Sequence, residues 1–401
     1  MQAFQVGHAS HPDWRAALAM AQAQLRSQQE AQPVASAPTL GLVYFSDHYA
    51  AHGQALYDAL RQQWPGVAWV GSVGVGVAAS GVEYFDQPAL VLMLAALPAA
   101  HFEVFSGARR LQRIQPFSAL VHADPATPDL AEMIGEMSER TTSGYLFGGL
   151  AASRGVALHI ADGVWQGGLS GVAFGSEVAL LSRVTQGCQP LGPVRRVTEC
   201  DRNIVTRLDG EPAMACLLAD LGLAQGDDPR QALPRLRATL VGLSDEHDSA
   251  VSRPGQFGSD TRVRHLIGLD PARSAVAVAQ LLKPGMKLAF CQRDVSAARR
   301  DLVRICSEIR DELESHTEPA LHGAPAAPQE PALQVRGALY VSCSGRGGPH
   351  FGGPSAELKI VQHALGEVPL VGFFAGGEIA RHHLYGYTGV LTVFTAAAGE
   401  P

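Results

Sequence analysis

Three times along the chain, a short apolar segment is followed by an amphipathic helix and then by a second apolar segment that contains glycine. The first segments span 41–46, 119–122 and 338–343. The glycines of the second segments are Gly71, Gly148 with Gly149, and Gly372. A further apolar segment closes each copy, and continuous runs of this kind are typical of strands buried on both faces. The repeated β-α-β-β order predicts an α/β fold with mixed sheets, built from repeated modules.

A polar, strand-rich region separates the second copy from the third. For a chain of 401 residues, we therefore predict two domains, one spanning 39–200 and one spanning 201–401. Residues 1–38 are predicted to form an N-terminal helix and a linker, since apolar side chains recur there at spacings of three and four. A further helix is predicted over 211–220. Four prolines between 315 and 333 predict a Pro- and Ala-rich loop inside the second domain.

The composition excludes several functional classes. The net charge is −7, with 28 Arg and 3 Lys spread along the chain, whereas a nucleic-acid-binding protein presents a basic stripe. The longest apolar run, 88–100, is too short to span a bilayer, and the N-terminus lacks the pattern of a signal peptide. Six cysteines without a C-x-x-C pair argue against a disulfide framework and a zinc ribbon. We therefore expect a cytoplasmic protein that binds no nucleic acid, membrane or metal.

Glycine-rich loops are abundant, but they do not match the nucleotide-binding patterns. A Walker loop requires Lys-Ser or Lys-Thr after its glycines, and the lysines lie elsewhere. The segment from Gly74 to Ala79 resembles the dinucleotide fingerprint, but Ser80 and Gly81 follow where a helix should begin. No cofactor is therefore expected.

The densest cluster of reactive and charged side chains lies in the third copy, in the turns that follow its two neighbouring strands. The candidate binding residues are Cys343, Ser344, Gly345, Arg346, Phe351, Phe374, Gly377 and Glu378. Because α/β proteins bind ligands beyond the carboxyl ends of parallel strands, both turns should face one pocket. Arg346 can grip a carboxylate or phosphate, and Glu378 can accept an amine. Together they suit a small zwitterion such as an amino acid.

The same residues allow other interpretations. Arg346 and Glu378 could simply pair with each other across the two turns. Cys343 could be a nucleophile if something lowers its pKa, although the sequence places no histidine as its base. A buried structural thiol is the alternative interpretation of Cys343.

The first copy has a matching turn that carries no charge. It contains Gly71 and Ser72, which we add to the candidate site, and it continues through Gly74 and Gly76. The residues that follow, 83–86, are predicted to belong to a hairpin that leads into the next apolar strand.

These turns also carry a resemblance to a known family. Four stretches contribute to it, in the family's order: 70–98, 186–213, 266–294 and 343–379. The last of these contains Cys343-x-Gly345-Arg346 and Gly377-Glu378-Ile379. The chain resembles FIST proteins, in which a FIST N domain is followed by a FIST C domain.

The resemblance implies a sensory, small-molecule-binding module of prokaryotic signalling, with amino acids as proposed ligands and without catalysis. The chain departs from the family pattern at three places. Ser72 and the Ala375-Gly376 pair stand where relatives often have cysteines, and the segment after Ile379 is short. These departures argue against a role for thiols in the pocket. Because no kinase, cyclase, receptor or F-box segment is attached, we expect the signal to pass to a separate signalling protein.

Two other functions compete with ligand sensing. One is an enzyme that acts on a small amide or amino acid through Cys343 or Glu378. The other is a protein-interaction scaffold whose loop at 315–333 or N-terminal helix recruits a partner.

Overall fold

The computed structural model describes residues 3–31, 36–224, 229–246, 257, 260–315 and 333–397. The chain forms two compact units: the first combines Met1–Thr185 with Leu302–Pro401, and the second comprises Gln186–Asp301. Helices and several mixed sheets occur together, which confirms the predicted α/β class. Between its two ends, the loop predicted at 315–333 lies outside the described residues.

The first module contains six strands and two helices. In chain order they are β1 (Gln5–Ser10), α1 (Trp14–Ala31), β2 (Leu40–Ser46), α2 (Gly53–Gln63), β3 (Ala68–Gly74), β4 (Gly76–Ala79), β5 (Val82–Phe85) and β6 (Ala89–Ala95). Strand β1 pairs with β6 and was not predicted. Its buried positions are Gln5, Gly7 and Ala9, so it lacks the alternation of large apolar residues by which strands are recognised.

The second and third modules repeat this order. The second comprises β7 (Phe102–Phe105), β8 (Ser118–Ala123), α3 (Leu130–Glu139), β9 (Tyr145–Leu150), β10 (His159–Ala161), β11 (Val164–Trp165) and β12 (Leu169–Phe174). The third module begins with β13 (Leu180–Gln186), and the second unit follows in the chain before this module continues.

The second unit comprises β14 (Cys188–Pro190), β15 (Arg195–Asp201), β16 (Ile204–Leu208), β17 (Glu211–Pro212), α4 (Ala213–Asp220), α5 (Pro229–Ala238), β18 (Leu240–Ser244), β19 (Arg262–Asp270), β20 (Ala275–Val278) and β21 (Lys287–Arg293). The third module then resumes with α6 (Val295–Ser315), β22 (Leu333–Cys343), α7 (Ala356–Leu365), β23 (Leu370–Ala375), β24 (Glu378–Arg381), β25 (His383–Tyr385) and β26 (Thr388–Ala397).

The three sheets of the first unit share one strand order and exchange hairpins cyclically. The orders are β1-β6-β2-β3-β10-β11, β7-β12-β8-β9-β24-β25 and β13-β26-β22-β23-β4-β5. In each sheet the two central strands are parallel, and a two-stranded hairpin from another module pairs antiparallel with the second of them. We call this arrangement hairpin exchange. It confirms the repeated module and adds a connection between modules that the sequence did not predict.

A glycine in the second parallel strand of each module allows close approach to the first. A Cβ atom at Gly71, Gly148 or Gly372 would lie 1.7, 2.0 or 1.9 Å from a backbone carbonyl oxygen of the neighbouring strand. Real Cβ atoms do not tolerate such distances, so these register positions require glycine. The glycines that mark the repeat in the sequence are therefore explained by strand packing.

The inward faces of the three sheets share one apolar core. Tyr44, Phe147, Phe174, Phe373 and Phe394 contribute its large rings. Helices α1 and α2 cover the outer face of the first sheet, and α3 covers that of the second. Burial on both faces explains why the central strands appear in the sequence as continuous apolar runs.

The second unit contains a closed antiparallel barrel. Its six strands follow the order β15-β16-β20-β19-β18-β21, and β21 returns to β15. The helix predicted over 211–220 begins only at Ala213, because Glu211–Pro212 pairs with β16 and Pro212 has an extended ψ of 127°. None of the helices in the described ranges has the length and the apolar character that a membrane crossing requires.

Candidate functional site at the end of the third module

The two candidate turns of the third module start from neighbouring parallel strands. Strand β22 ends at Cys343 and β23 ends at Ala375, and these residues are register partners. The N–H of Ser344 donates to the carbonyl oxygen of Ala375 at 2.8 Å. The N–H of Arg346 donates to the carbonyl oxygen of Cys343 at 2.8 Å, which closes a tight turn. Glu378 begins β24 three residues after β23 ends, so the structure brings the two turns together.

Arg346 is buried and forms its ion pair with Glu357. Its Nε donates to Oε1 of Glu357 at 2.9 Å, and its Nη2 lies 2.8 Å from the same oxygen. The guanidinium carbon lies 5.1 Å from the ring centroid of Phe351. Burial alone would lower the pKa of Arg346, but the charge of Glu357 raises it above its ordinary value. This pairing differs from the alternative in which Arg346 and Glu378 neutralise only each other.

The carboxylate of Glu357 is the centre of a buried hydrogen-bond network. Glu357 lies in the first turn of α7. Its Oε1 accepts from the hydroxyl of Tyr340 at 2.7 Å, and its Oε2 accepts from Ser342 Oγ at 3.0 Å. Burial, followed by the charge of Glu357, raises the pKa of Tyr340 well above its ordinary value. With its partners satisfied, this network rigidly supports the turn that contains Arg346.

Hairpin exchange adds a second carboxyl group from the first module. Glu83 of β5 accepts the N–H groups of Glu357 and Leu358 at 3.0 and 3.1 Å on its Oε1. It thereby caps the start of α7, where unpaired N–H groups favour a carboxylate. Burial, followed among the raising effects by the charge of Glu357, raises the pKa of Glu83 to about 7. The sequence predicted only a hairpin at 83–86.

Glu378 is fully buried and incompletely bonded. Its Oε2 accepts from the N–H and the hydroxyl of Thr388, at 3.1 and 2.6 Å. Its Oε1 has no nitrogen or oxygen hydrogen-bond donor in the described structure, and the Cys343 thiol is a hydrogen-bond partner of the carboxyl group. Burial raises the pKa of Glu378 to about 8, against the opposing effects of Thr388, Arg346 and Cys343. At neutral pH the side chain is therefore mainly a neutral carboxylic acid, which can donate as well as accept.

Cys343 is a protonated thiol in this environment. Its exposed fraction is 9%. Burial, together with the negative charge of Glu378, raises its pKa to about 12, although backbone groups of Gly345 and Tyr387 oppose this change. Since the thiolate is the nucleophilic form, the surroundings of Cys343 disfavour nucleophilic chemistry at neutral pH.

Phe374 and Gly377 link the third module to the other two. The ring of Phe374 meets that of Phe85 edge to face, with centroids 5.0 Å apart. The carbonyl oxygen of Phe374 accepts from the N–H of Val75 at 3.4 Å, and that of Gly377 accepts from Leu150 at 2.8 Å. These two candidate residues therefore hold the three glycine-containing turns in contact.

Gly71 and Ser72 find their hydrogen-bond and register partners within the first sheet. Gly71 packs against Val43, and Ser72 is the register partner of His159 in β10. Ser72 is fully buried, and its hydroxyl donates to the carbonyl oxygen of Val73 at 3.3 Å.

A buried histidine cluster in the core was missed by the sequence analysis. His122 Nε2 lies 3.1 Å from the Tyr44 hydroxyl, and His159 Nδ1 lies 2.5 Å from Ser170 Oγ. Burial lowers the pKa of His122 to about 3 and also lowers that of His159. These imidazoles are therefore uncharged at neutral pH. The four residues come from four different strands, so no local pattern in the sequence marks the cluster.

The described residues contain no group of three or more His, Cys, Asp or Glu side chains placed to hold a metal ion. The rings of the adjacent His382 and His383 are tilted by 49° to each other, with centroids 3.9 Å apart.

Comparison with known proteins decides the family. A model of the FIST N domain matches residues 39–211, and a model of the FIST C domain matches residues 213–381. The chain belongs to the FIST family. An uncharacterized protein of Mycobacterium tuberculosis is 29% identical to this FIST chain, and one of Mycobacterium bovis is 28% identical. Both alignments cover 97% of the FIST chain and 98% of the relative.

FIST domains are associated with sensory and signal-transduction roles and are generally non-catalytic. The two matched regions meet at Pro212, where β17 leads into α4 inside the second compact unit. The FIST N and FIST C regions are therefore not the two compact units of the structure, because the third module is split in the chain around the second unit.

Proposed function

We propose that this FIST protein is a non-catalytic sensor that binds a small molecule of the amino-acid class at the ends of β22 and β23. The observation that carries the proposal is the buried Oε1 of Glu378, which has no nitrogen or oxygen hydrogen-bond donor in the described structure. Buried polar atoms in native proteins are nearly always bonded, so this oxygen is available to a polar group of a ligand. The signal would pass to a separate signalling protein, in the cytoplasm.

The protonation state of Glu378 suits an amine. As a neutral acid it carries no charge while the site is empty, which avoids most of the cost of a buried carboxylate. A ligand ammonium group would lower the pKa of the carboxyl and convert it to a carboxylate, giving a charge-assisted hydrogen bond. Binding of a cationic amine is therefore coupled to release of a proton.

The other turn supports the remainder of the ligand. Ser344 and Gly345 are partly exposed, whereas Arg346 behind them is buried and held by Glu357. Because Glu357 neutralises it, the guanidinium supplies rigidity to the turn and no net charge. A ligand carboxylate would contact the hydroxyl of Ser344.

The enzyme alternative receives less support from this geometry. The pKa of Cys343, raised to about 12, leaves almost no thiolate at neutral pH. Glu378 could still act as a general acid, so turnover has to be measured directly.

The test begins with native mass spectrometry of the purified protein, which should show a retained small molecule. Thermal shift and calorimetry with the twenty amino acids then identify the class. We expect the Glu378→Gln variant to bind the best amino acid at least tenfold more weakly, because loss of a charge-assisted bond costs about 1.5–3 kcal/mol. Glu136→Gln, on the exposed face of α3, is the matched control and should bind normally.

Absence of a retained molecule, together with no thermal shift from any amino acid at about 100-fold above a typical micromolar Kd, would overturn the proposal. Conversion of the bound amino acid to a product by the wild type, lost in a folded Cys343→Ala variant, would establish the enzyme alternative.

A further inference from the structure

A cavity of about 270 Å³ lies within the first unit near the amino ends of β8 and β9. Strand β13, strand β26 and helix α6 of the third module complete its walls. None of its lining residues belongs to the candidate site around Glu378.

One wall of this cavity is aromatic. Phe117, Tyr145 and Phe147 line it, and Leu180 adds an aliphatic side chain. Phe117 is 42% exposed, which places part of its ring in solvent. Flat apolar walls of this kind favour a flat apolar ligand.

Most of the other lining residues are polar, and their charges are balanced. The hydroxyls of Ser182 and Thr392 lie 2.8 Å apart, and Arg183 pairs with Glu312. Because the cation and the anion at the rim are partners, the cavity offers no net charge to a ligand. An uncharged ligand therefore fits better than an anion or a cation.

Ser118 supplies the observation that points to a ligand. It is the first residue of β8, lines the cavity and is only 5% exposed. Its Oγ is buried and has no hydrogen-bond partner in the described structure. A buried hydroxyl without a partner is costly, and a hydroxyl or carbonyl group of a ligand would satisfy it.

We propose that this cavity binds an uncharged, single-ring aromatic molecule that carries a hydroxyl or carbonyl group. A cavity of about 150 Å³ lined by apolar residues is enough for benzene, so the larger volume here accommodates a ring with a substituent. The ring packs on Phe117, Tyr145 and Phe147, and the polar substituent reaches Ser118. This site is independent of the proposed amino-acid site.

Saturation-transfer-difference NMR with phenol tests the proposal, with cyclohexanol as a non-aromatic probe of similar size. Phenol should give a saturable signal and cyclohexanol a much weaker one. Phe117→Ala should weaken phenol binding at least fivefold, and since Phe117 is partly exposed, the variant should fold. Ser118→Ala should weaken it about threefold. Met20→Ala, which removes a 48% exposed apolar side chain from α1, is the control and should leave binding unchanged.

Glu378→Gln should also leave phenol binding unchanged, because Glu378 does not line this cavity. The experiment therefore tests the aromatic site separately from the proposed amino-acid site. Equal signals from phenol and cyclohexanol would overturn the aromatic assignment. Unchanged phenol binding in Phe117→Ala, or no phenol signal in the wild type, would overturn the site itself.

Discussion

Replacement of Glu378 by Gln should change how the stability of the first unit depends on pH. In the folded chain the carboxyl keeps its proton up to about pH 8, whereas in the unfolded chain it ionises near its ordinary value of 4.5. Between these values the folded chain binds more protons than the unfolded chain. The wild type therefore loses stability as pH rises through this window, and this loss disappears when the side chain cannot ionise.

The magnitude follows from the same two values. Each pKa unit corresponds to about 1.4 kcal/mol. A shift from 4.5 to about 8 for this completely buried group therefore lowers the free energy of unfolding of the wild type by roughly 5 kcal/mol once pH exceeds both values. At pH 5 the wild type and Glu378→Gln should have similar free energies of unfolding. At pH 9 the variant should be more stable by several kcal/mol. The pKa of Glu83 is also raised, to about 7, so it too lowers the free energy of unfolding as pH rises. Because both proteins contain Glu83, its contribution cancels when their free energies of unfolding are subtracted.

Urea unfolding followed by tryptophan fluorescence provides the assay. All four tryptophans, Trp14, Trp64, Trp69 and Trp165, lie in the first unit, so the signal reports on that unit alone. The free energy of unfolding is extrapolated to zero urea at each pH from 5 to 9. Glu136→Gln serves as the control and should give a constant difference from the wild type. A difference between wild type and Glu378→Gln that stays within about 1 kcal/mol across this range would refute the reasoning.

Three further predictions use the same fluorescence assay. Glu357→Ala should lower the free energy of unfolding by about 3–5 kcal/mol, because it leaves the buried Arg346 without a counter-ion. The double variant Arg346→Met with Glu357→Leu should recover much of this stability. A double variant no more stable than Glu357→Ala would contradict the ion-pair argument. Gly372→Ala should lower the free energy of unfolding by at least about 3 kcal/mol or prevent folding, because its Cβ would lie 1.9 Å from the backbone oxygen of Tyr340. The control Gly107→Ala, whose Cβ would meet no atom within 4 Å, should leave the stability nearly unchanged. Equal effects of the two substitutions would refute the packing explanation. Cys343→Ala should cost about 1–2 kcal/mol while ligand binding survives in the folded protein, as measured by calorimetry; loss of binding without loss of stability would assign the thiol a direct role.

Features determined by local periodicity could be predicted from the sequence, and features determined by distant pairing could not. The central strands and their helices were recognisable because burial on both faces requires continuous apolar runs. The glycines at 71, 148 and 372 marked the repeat because close strand approach permits no side chain there. The turn from Cys343 to Arg346 was found because it follows a recognisable strand.

The partners of the candidate residues depend on contacts between modules. Glu83 reaches α7 only because its hairpin leaves the first module, and nothing near residue 83 in the sequence indicates this. Glu357 could have been suspected as an acidic residue in the first turn of a helix, where it suits the helix dipole. The closed barrel of the second unit could not be predicted, because its closure depends on β21 pairing with both β15 and β18.

Hairpin exchange also has a consequence for the order in which this protein can fold as it leaves the ribosome. Hairpin β4–β5 cannot pair until β23 has been synthesised, since Ala79 of β4 is the register partner of Val371 of β23. The second sheet is likewise incomplete until β24 and β25 have been synthesised. The barrel, by contrast, is contiguous in the chain and can close as soon as Gln186–Asp301 has emerged. Strands with such distant partners fold slowly and expose apolar edges in the meantime. We therefore expect the nascent chain to carry a finished barrel while the first unit stays incomplete until its last strand is released.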